Sequence, residues 1–393
     1  MSAATHPFDQ ITPEWLEGRG SMKWRRFPGT LPGFVAEMDF PLAPPVKKVL
    51  QTSVDREQFG YLPQPVANEM KKTTSDYLAR THGWSVEPSQ IHPEGDVLQA
   101  YEIALRKLVT PGSPVVIPTP AYMPFLTLTT MVDHPVIEVP MVADDSGRPQ
   151  MDLEAIATHL EGEAEMVVLC NPHNPLGLVY TDAELRALSE VVEKAGAVVF
   201  SDEIHAPLVF GTHRHIPYAT VSEHAAEHSI TAISASKAWN LPGLKCAQLV
   251  VTSSRHKELL DPVAFIVSPS AATPGVLATT AAYRDGGAWL DDVREYLSGN
   301  FDLLDQFTAD HFPGSGYRRP EGTYIVWLDA RGIDIQGAAS PTEFLRDPTG
   351  VSRLGGARCV EAGKGLRRLI AATPRPILQE ILERIAPYWQ RTN

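Results

Sequence analysis

Lys237 is the residue whose surroundings most clearly indicate chemistry. It follows residues 230–233, a β-branched stretch that predicts a strand, so the lysine is expected near a strand end. An amine that is partly removed from water can be neutral there, and a neutral amine can form a Schiff base with an aldehyde. Ser234, Ser236 and Lys245 lie close by in the sequence and suit a phosphate group. The segment predicts a lysine that carries pyridoxal phosphate (PLP), although a surface lysine in a polar loop has the same pattern.

Polar residues also follow other predicted strands, where ligands bind in open α/β sheets. Asn174 lies in a loop with two Asn-Pro pairs after the predicted strand 166–170, and it could contact the ring hydroxyl of a pyridoxal. Turn formation alone also explains such pairs. Asp202 follows the predicted buried strand 197–200, where a carboxylate could pair with a protonated pyridine nitrogen. His205, three residues further on, could hydrogen-bond the ring hydroxyl.

Other candidate residues have a weaker pattern. Gly95 precedes a predicted helix, and the free amides of such a helix start suit a phosphate. Tyr122 follows the predicted strand 115–118 and could stack on a flat ring or pack in the core. Glu203 is expected in a solvated acidic loop. An arginine inside the apolar stretch 365–375 could bind an α-carboxylate with its planar fork, or form a structural ion pair.

The order of the predicted elements indicates the fold. Short apolar runs alternate with amphipathic stretches in the middle of the chain, which predicts an α/β domain with a largely parallel sheet. The clearest helix covers residues 182–194, where Thr181 or Asp182 can cap the start and Gly196 ends the helix. The first 40 or so residues are expected to pack as an arm. The C-terminal part predicts a smaller α+β domain, with a helix over 289–309, a strand over 323–328 and a helix over 377–389.

Composition excludes several classes of function. The chain has 393 residues and a net charge of −13, which argues against a nucleic-acid partner. It has no apolar run near the ~18 residues that a membrane span needs, and no secretory signal is expected. Cys170, Cys246 and Cys359 are few and unpaired in spacing. They predict reduced thiols in the cytoplasm, with neither a disulfide framework nor a metal site.

Taken in order, the lysine, the loop 171–177, the Asp-x-x-His motif and the late arginine resemble the fold-type I PLP enzymes, the aspartate aminotransferase superfamily. Residues 35–41, 59–61, 201–205 and 236–245 look like the cystathionine β-lyase (C–S β-lyase) branch. The resemblance covers nearly the whole chain. It implies an arm with part of a small domain, a large PLP-binding domain with a mostly parallel seven-stranded sheet between helices, and a smaller α+β C-terminal domain, over residues 1–45, 46–287 and 288–393.

The resemblance also implies a role for each candidate that would contact the cofactor ring or the substrate. Lys237 carries the cofactor and moves the substrate α-proton, while Asp202 pairs with the pyridinium. Tyr122 stacks on the ring, and Asn174 and His205 contact its hydroxyl. The substrate is bound by the residues Arg368, Asn174 and Tyr122, with the substrate carboxylate on Arg368.

The remaining implied roles concern the phosphate and a second subunit. The phosphate is held by Ser234, Ser236, Lys245 and the amides of Asp96 and Val97. Tyr61 reaches the phosphate from the other subunit, so the resemblance implies a homodimer with a shared active site. Residues 37–40 line the substrate entrance.

The resemblance predicts a PLP-dependent C–S β-lyase that cleaves L-cystathionine or another L-cysteine S-conjugate to a thiol, pyruvate and ammonia. Three positions depart from the branch pattern. Ile370 stands where asparagine is common, Thr373 where cysteine is frequent, and Asp96 where the phosphate cup has a small or apolar side chain. A PLP-dependent aminotransferase, or a decarboxylating or oxidative deaminase in a specialised pathway, is therefore the alternative. A binding protein that has lost turnover is a third reading.

Overall fold

The computed structural model describes residues 6–267, 270–312, 315–329, 349–352 and 366–388. The strands are β1 (Leu31–Pro32), β2 (Ile91–Glu94), β3 (Val115–Thr119), β4 (Val136–Pro140), β5 (Val142–Ala143), β6 (Pro149–Gln150), β7 (Met166–Cys170), β8 (Val198–Asp202), β9 (Ser229–Ile233), β10 (Ala247–Val250), β11 (Ile325–Asp329), β12 (Val351–Ser352) and β13 (Leu366–Ile370).

The α-helices are α1 (Pro13–Arg19), α2 (Met22–Arg25), α3 (Pro44–Asp55), α4 (Gln64–His82), α5 (Val97–Leu108), α6 (Met123–Met131), α7 (Leu153–Gly162), α8 (Asp182–Ala195), α9 (Glu223–His228), α10 (Ser254–Val267), α11 (Thr273–Asp285), α12 (Gly287–His311) and α13 (Arg375–Ile385). Short 3-10 helices lie at Pro7–Gln10, Pro88–Gln90, Tyr218–Thr220, Pro242–Leu244 and Ala386–Tyr388. Within the described ranges, none of the helices has the length and apolar character that crossing a bilayer requires.

A mixed sheet organises the middle of the chain. Among the described residues, seven strands form it in the order β2-β10-β9-β8-β7-β3-β4. The pairs from β9 to β4 are all parallel, whereas β10 runs antiparallel to both of its neighbours. The predicted α/β fold with a mostly parallel sheet is therefore confirmed. Because β10 runs the other way, it begins at the edge where the parallel strands end.

The sheet is buried on both faces, which explains why its strands are continuous apolar runs rather than alternating ones. In β8, Val199 packs with Leu188 of α8 in one core cluster, and its neighbour Phe200 packs with Tyr101 of α5 in the other. Tyr101 and Phe200 rings lie 4.9 Å apart between centroids. The two cores fix the strand ends, and with them the loops that follow.

Local signals determine α8 as the sequence predicts. Thr181 and Glu184 form a reciprocal capping box at its start, and Gly196 ends it with a φ of 66°. Other predicted bounds shift slightly. The strand expected over 197–200 runs to Asp202, and the C-terminal helix begins at Arg375 rather than residue 377. The predicted last residue of that helix, Trp389, lies outside the described residues.

The chain divides into two compact units. The first contains Met1–Pro41, Pro175–Gly177 and Asp292–Asn393, and the second contains Leu42–Asn174 and Leu178–Asp291, including the whole sheet just described. In the first unit β11 pairs with β13 antiparallel, and β1 pairs with β12 parallel. Phe8 stacks on Phe40 at a centroid distance of 4.4 Å, so the N-terminal segment packs within this unit.

Candidate active site

The ends of three neighbouring strands of the second unit bring the predicted residues to one edge of the sheet. Cys170, Asp202 and Ala232 are register partners across β7, β8 and β9. Beyond them, the Asn171 amide donates to the Asp202 carbonyl and the Glu203 amide donates to the Ala232 carbonyl, each at 2.9 Å. The loops that carry Asn174, His205 and Lys237 therefore start side by side, as the parallel topology requires.

Asp202 is a buried carboxyl with a raised pKa. It is the last residue of β8, which corrects the expectation that it lies beyond the strand. Burial raises its pKa to about 7, while the hydrogen bond from the Ile204 amide and the positive charge of Lys237 oppose that rise. The Ile204 amide lies 3.1 Å from Oδ1. The positive charge of Lys237 thus acts on the carboxyl of Asp202.

Glu203 is buried, which corrects the prediction of a solvated acidic side chain. Its Oε1 accepts from the Ser201 hydroxyl and the Tyr218 amide, each at 2.9 Å, and its Oε2 lies 2.8 Å from His215 Nε2. His215 and Tyr218 lie well beyond the motif at residues 201–205, so the motif does not predict these two partners. We call Asp202, Glu203 and His215 the buried acid cluster.

The buried acid cluster extends to a second histidine. The rings of His215 and His82 meet edge to face at 5.1 Å between centroids. Burial, with a further contribution from His215, lowers the pKa of His82 to about 3. His82 is therefore neutral at physiological pH, and it adds no charge to a region that already contains two carboxyl groups.

Asn174 and Tyr122 lie beside one another at the same edge. Together with Cys170 they line one small cavity. Asn174 is 5% exposed, and among the described residues its Oδ1 has no hydrogen-bond partner. Tyr122 is the residue before α6 and packs edge to face on Phe125 at 5.5 Å, so stacking and core packing are both open to it. His205 is 1% exposed.

The serines beside Lys237 are used differently from one another. The Ser234 hydroxyl donates to the Cys246 carbonyl at 2.7 Å and accepts from the Ser236 amide at 3.1 Å. Its single proton is thus committed to the backbone, which differs from the expected phosphate contact. Ser236 is half-buried, as Lys237 is, and its hydroxyl is the better donor to a ligand.

The start of α5 forms the other end of the site. Asp96 is its N-cap residue, and its Oδ1 accepts from the Gln99 amide at 2.9 Å. The Gly95 amide donates to Gln99 Oε1 at 2.9 Å and Ser270 Oγ at 3.1 Å. Among the described residues, the amides of Asp96 and Val97 have no such acceptor. Two free amides at a helix start fit an anionic group such as a phosphate.

Lys245 reaches the same place from the start of β10. Its Nζ lies 2.7 Å from Asp96 Oδ2, and the side chains are 58% and 42% exposed. Its backbone is fixed by the bond from the Ala272 amide to its carbonyl at 3.0 Å. A Cβ at Gly275 would lie 2.0 Å from the Leu244 carbonyl oxygen, so only glycine allows this approach. We call Asp96, Val97 and Lys245 the open cup.

The remaining predicted residues are Tyr61 and Arg368. Tyr61 is 94% exposed, and within the described ranges it has no hydrogen bond or ring contact. Arg368 lies in β13 of the first unit, opposite Trp327 of β11. Its charge lowers the pKa of buried Tyr324, against the larger effects of burial and of the Glu37 carboxylate, which raise that pKa.

The segment expected to line the substrate entrance is anchored in the first unit. Met38, Asp39 and Phe40 are buried there. Asp39 Oδ2 lies 2.6 Å from Lys23 Nζ, and its Oδ1 accepts from Trp24 Nε1 at 2.8 Å. Lys23 and Trp24 were not predicted as partners of this segment. The available signal was that a lysine and a tryptophan stand next to one another in the N-terminal arm.

The geometry of the second unit fits PLP. Among the described residues, a half-buried lysine follows the strand next to a buried acid, a buried amide oxygen has no hydrogen-bond partner, and two helix-start amides beside a lysine have no acceptor. These groups match in kind the aldehyde, pyridine nitrogen, ring hydroxyl and phosphate of that cofactor.

Known proteins share this architecture over nearly the whole chain. The family model described as aminotransferase class I and II matches residues 35–385. Cystathionine beta-lyase of Corynebacterium glutamicum is 34% identical, over 95% of this chain and 98% of that protein. Cystathionine beta-lyase PatB of Bacillus subtilis is 29% identical, over 94% and 96%. The solved structure of cystalysin from Treponema denticola, which contains pyridoxal 5'-phosphate, matches with a TM-score of 0.87 and 26% identity, over 95% and 96% of the two chains.

Proposed function

This chain belongs to the aminotransferase class I and II family, and we propose that it is a PLP-dependent carbon–sulfur β-lyase. The substrate class is L-cystathionine or another L-cysteine S-conjugate, and the products are a thiol, pyruvate and ammonia. The resemblance to the cystathionine β-lyase branch is confirmed by a relative of that name at 34% identity. The observation that carries the proposal is the placement of a buried Asp202 at the end of β8 and of Lys237 in the loop that follows the adjacent strand β9.

The proposed roles follow from the charge and burial of each residue. PLP, when bound, supplies an electron sink for negative charge on the substrate α-carbon. Lys237 Nζ holds and moves the α-proton, and the Asp202 carboxylate pairs with the ring nitrogen. A cation against Asp202 favours its ionised form and lowers its pKa from the value near 7 of the free chain. Asn174 and His205 contact the ring hydroxyl, and Tyr122 packs on the ring.

At the other end of the cofactor, the proposed phosphate donors are the Ser236 hydroxyl, Lys245 and the amides of the open cup, since Ser234 donates to the backbone instead. Arg368 binds the substrate carboxylate, because a guanidinium fork matches that group in two parallel hydrogen bonds. We assign Arg368 this role from the resemblance and from its half-buried position in β13.

A homodimer is proposed because two neighbouring aromatic side chains are turned to solvent. Phe59 is 61% exposed and Tyr61 is 94% exposed, which is costly unless a partner covers them. In this proposal Tyr61 serves the phosphate of the second subunit. We also propose a smaller α+β C-terminal domain over residues 288–393. The buried, unpaired thiols of Cys170 and Cys246 support a cytoplasmic location.

The second candidate is an aminotransferase, or a deaminase that acts on the same class of substrate. Ile370 favours it, since this fully buried side chain stands two residues after Arg368, where the branch has asparagine. An apolar residue there removes a polar contact near the proposed substrate carboxylate. Changes of this size next to a reacting carbon select among outcomes on one fold.

Product analysis distinguishes the two candidates. The purified protein is supplied with PLP and incubated in air with L-cystathionine and with a bulkier cysteine S-conjugate, without a keto acid. The β-lyase yields pyruvate and a free thiol in equal amounts, measured by mass spectrometry. A thioether that stays intact while it loses its amino group or carboxylate supports the second candidate instead. Lys237→Ala is the control and is expected to abolish either product.

A further inference from the structure

The carboxylate of Asp96 pairs with the cation that the open cup offers to a phosphate, and it lies at the same helix start as the two amides of the cup. Its Oδ2 lies 2.7 Å from Lys245 Nζ, which is the cation of the cup. Its Oδ1 lies 2.9 Å from the Gln99 amide, at the positive end of α5. The carboxylate therefore takes part of the place that the proposed function gives to a phosphate.

The groove around the open cup is negatively charged. It has a volume of about 690 Å³, and the charged side chains that line it are Asp96, Glu102 and Lys245. Glu102 is paired with the Nε of Arg106 at 2.8 Å. A phosphate dianion that enters this groove meets the Lys245 ammonium together with the Asp96 carboxylate, and the carboxylate opposes part of the attraction of the ammonium.

The Asp96 side chain and the Lys245 backbone are both held at the open cup. Asp96 is held by its capping bond to the Gln99 amide, and Lys245 is held through the Ala272 amide and the close approach of Leu244 to Gly275. Both side chains are about half exposed, and ion pairs of that kind are weak. An arriving phosphate can therefore break the pair, but the carboxylate stays beside it.

We propose that Asp96 is an internal competitor for the cofactor phosphate, which fills the open cup in the cofactor-free protein and weakens phosphate binding there. The inference rests on the proposed function, because it takes PLP as the cofactor. It explains what a carboxylate does where related cups have a small or apolar side chain. It also means that the cup discriminates against free inorganic phosphate, which has no aldehyde to hold it on Lys237.

Asp96→Asn tests this inference, because asparagine also caps a helix but carries no charge. The full chain is stripped of cofactor, and the dissociation constants of PLP and of pyridoxal are measured by fluorescence titration. PLP is expected to bind roughly three- to ten-fold more tightly to the variant. Pyridoxal has no phosphate, so its affinity stays unchanged. Inorganic phosphate is expected to bind the variant more tightly by a similar factor, measured by calorimetry.

Glu102→Gln is the matched control, since it removes a negative charge from the same helix without touching Lys245. It is expected to change PLP affinity less than Asp96→Asn does. The inference is overturned if Asp96→Asn leaves PLP affinity unchanged or weakens it, or if it shifts PLP and pyridoxal equally. A wild-type chain that takes up neither ligand refutes the proposed function instead. The phosphate measurement then still decides, because a variant that binds phosphate no more tightly than wild type overturns the inference.

Discussion

The buried acid cluster and the open cup each place a carboxylate beside a basic side chain, but they differ in exposure to water. The Glu203 and His215 side chains are each 1% exposed, whereas Asp96 and Lys245 are 42% and 58% exposed. We call the buried pair dry and the exposed pair wet. Removing one partner of a dry pair leaves the other group where water cannot solvate it, whereas the group left behind in a wet pair is solvated by water. One sheet edge thus combines a pair that is shielded from water with a pair that is open to water.

The largest expected effect comes from Asp202, the carboxyl of the dry region that is proposed to face the reaction. Asp202→Asn keeps the shape of the side chain but removes the negative charge. We expect turnover of L-cystathionine to fall at least roughly a thousand-fold, about 4 kcal/mol of barrier. Steady-state kinetics measure this, with circular dichroism as the control for folding. A loss of less than about ten-fold would show that the charge of Asp202 is not needed.

The next effect concerns stability. Glu203→Ala leaves His215 and the Ser201 and Tyr218 donors buried without their acceptor, and we expect a loss of about 3–5 kcal/mol of unfolding free energy. Glu161→Ala is the matched control, since its pair with Lys194 is exposed at 57% and 76%, and we expect it to lower the free energy of unfolding far less than Glu203→Ala does. Urea unfolding compares the two variants. Equal losses would contradict the contrast between dry and wet pairs.

The buried titratable groups also predict how the free energy of unfolding varies with pH. Burial lowers the pKa of four histidines to about 4 or below, namely His82, His92, His173 and His228. Burial raises the pKa of Asp202 to about 7 and that of Glu94 to about 8. The unfolded chain binds more protons at the histidines below pH 6.5, so stability rises with pH there. In the folded chain Asp202 and Glu94 keep their protons at pH values where the unfolded chain has already lost them. The free energy of unfolding therefore falls as pH rises towards 7 and 8.

The cofactor-free protein is therefore expected to be most stable near pH 6.5, the ordinary pKa of histidine. Each proton of difference corresponds to a slope of about 1.4 kcal/mol per pH unit. Thermal unfolding between pH 4 and pH 9 measures the profile, and Asp202→Asn should flatten the decline just above the maximum. A stability that keeps rising from pH 6.5 to pH 8 would refute the assignment of Asp202 and Glu94 as protonated acids.

The smallest expected effect on the free energy of unfolding comes from the exposed pair of Asp96 and Lys245. Asp96→Ala removes the cap of α5 and is expected to cost about 1 kcal/mol of unfolding free energy. Asp96→Asn keeps the cap and loses only the exposed pair, so we expect a change of below about 0.5 kcal/mol. Both are measured by urea unfolding of the cofactor-free chain. If the two variants were destabilised by the same amount relative to wild type, the ion pair and not the cap would stabilise this helix.

Much of the fold and of the site could be predicted because the signals are local. The capping box and Gly196 bound α8, and parallel strands place the residues after β7, β8 and β9 at one edge. The burial of Glu203 and the pairing of Asp96 could not be predicted. Their partners are 12 and 149 residues away in sequence, and only the packed sheet brings them together.

The 149 residues between the two halves of the open cup also have a consequence for the order of biosynthesis. A ribosome that adds about 5–20 residues per second needs roughly 7–30 s to pass from Asp96 to Lys245. Until then the growing chain contains the start of α5 but lacks the cation of the cup, and Lys237, the proposed cofactor lysine, is added only eight residues earlier. The complete set of proposed cofactor ligands therefore exists only after residue 245 has been added.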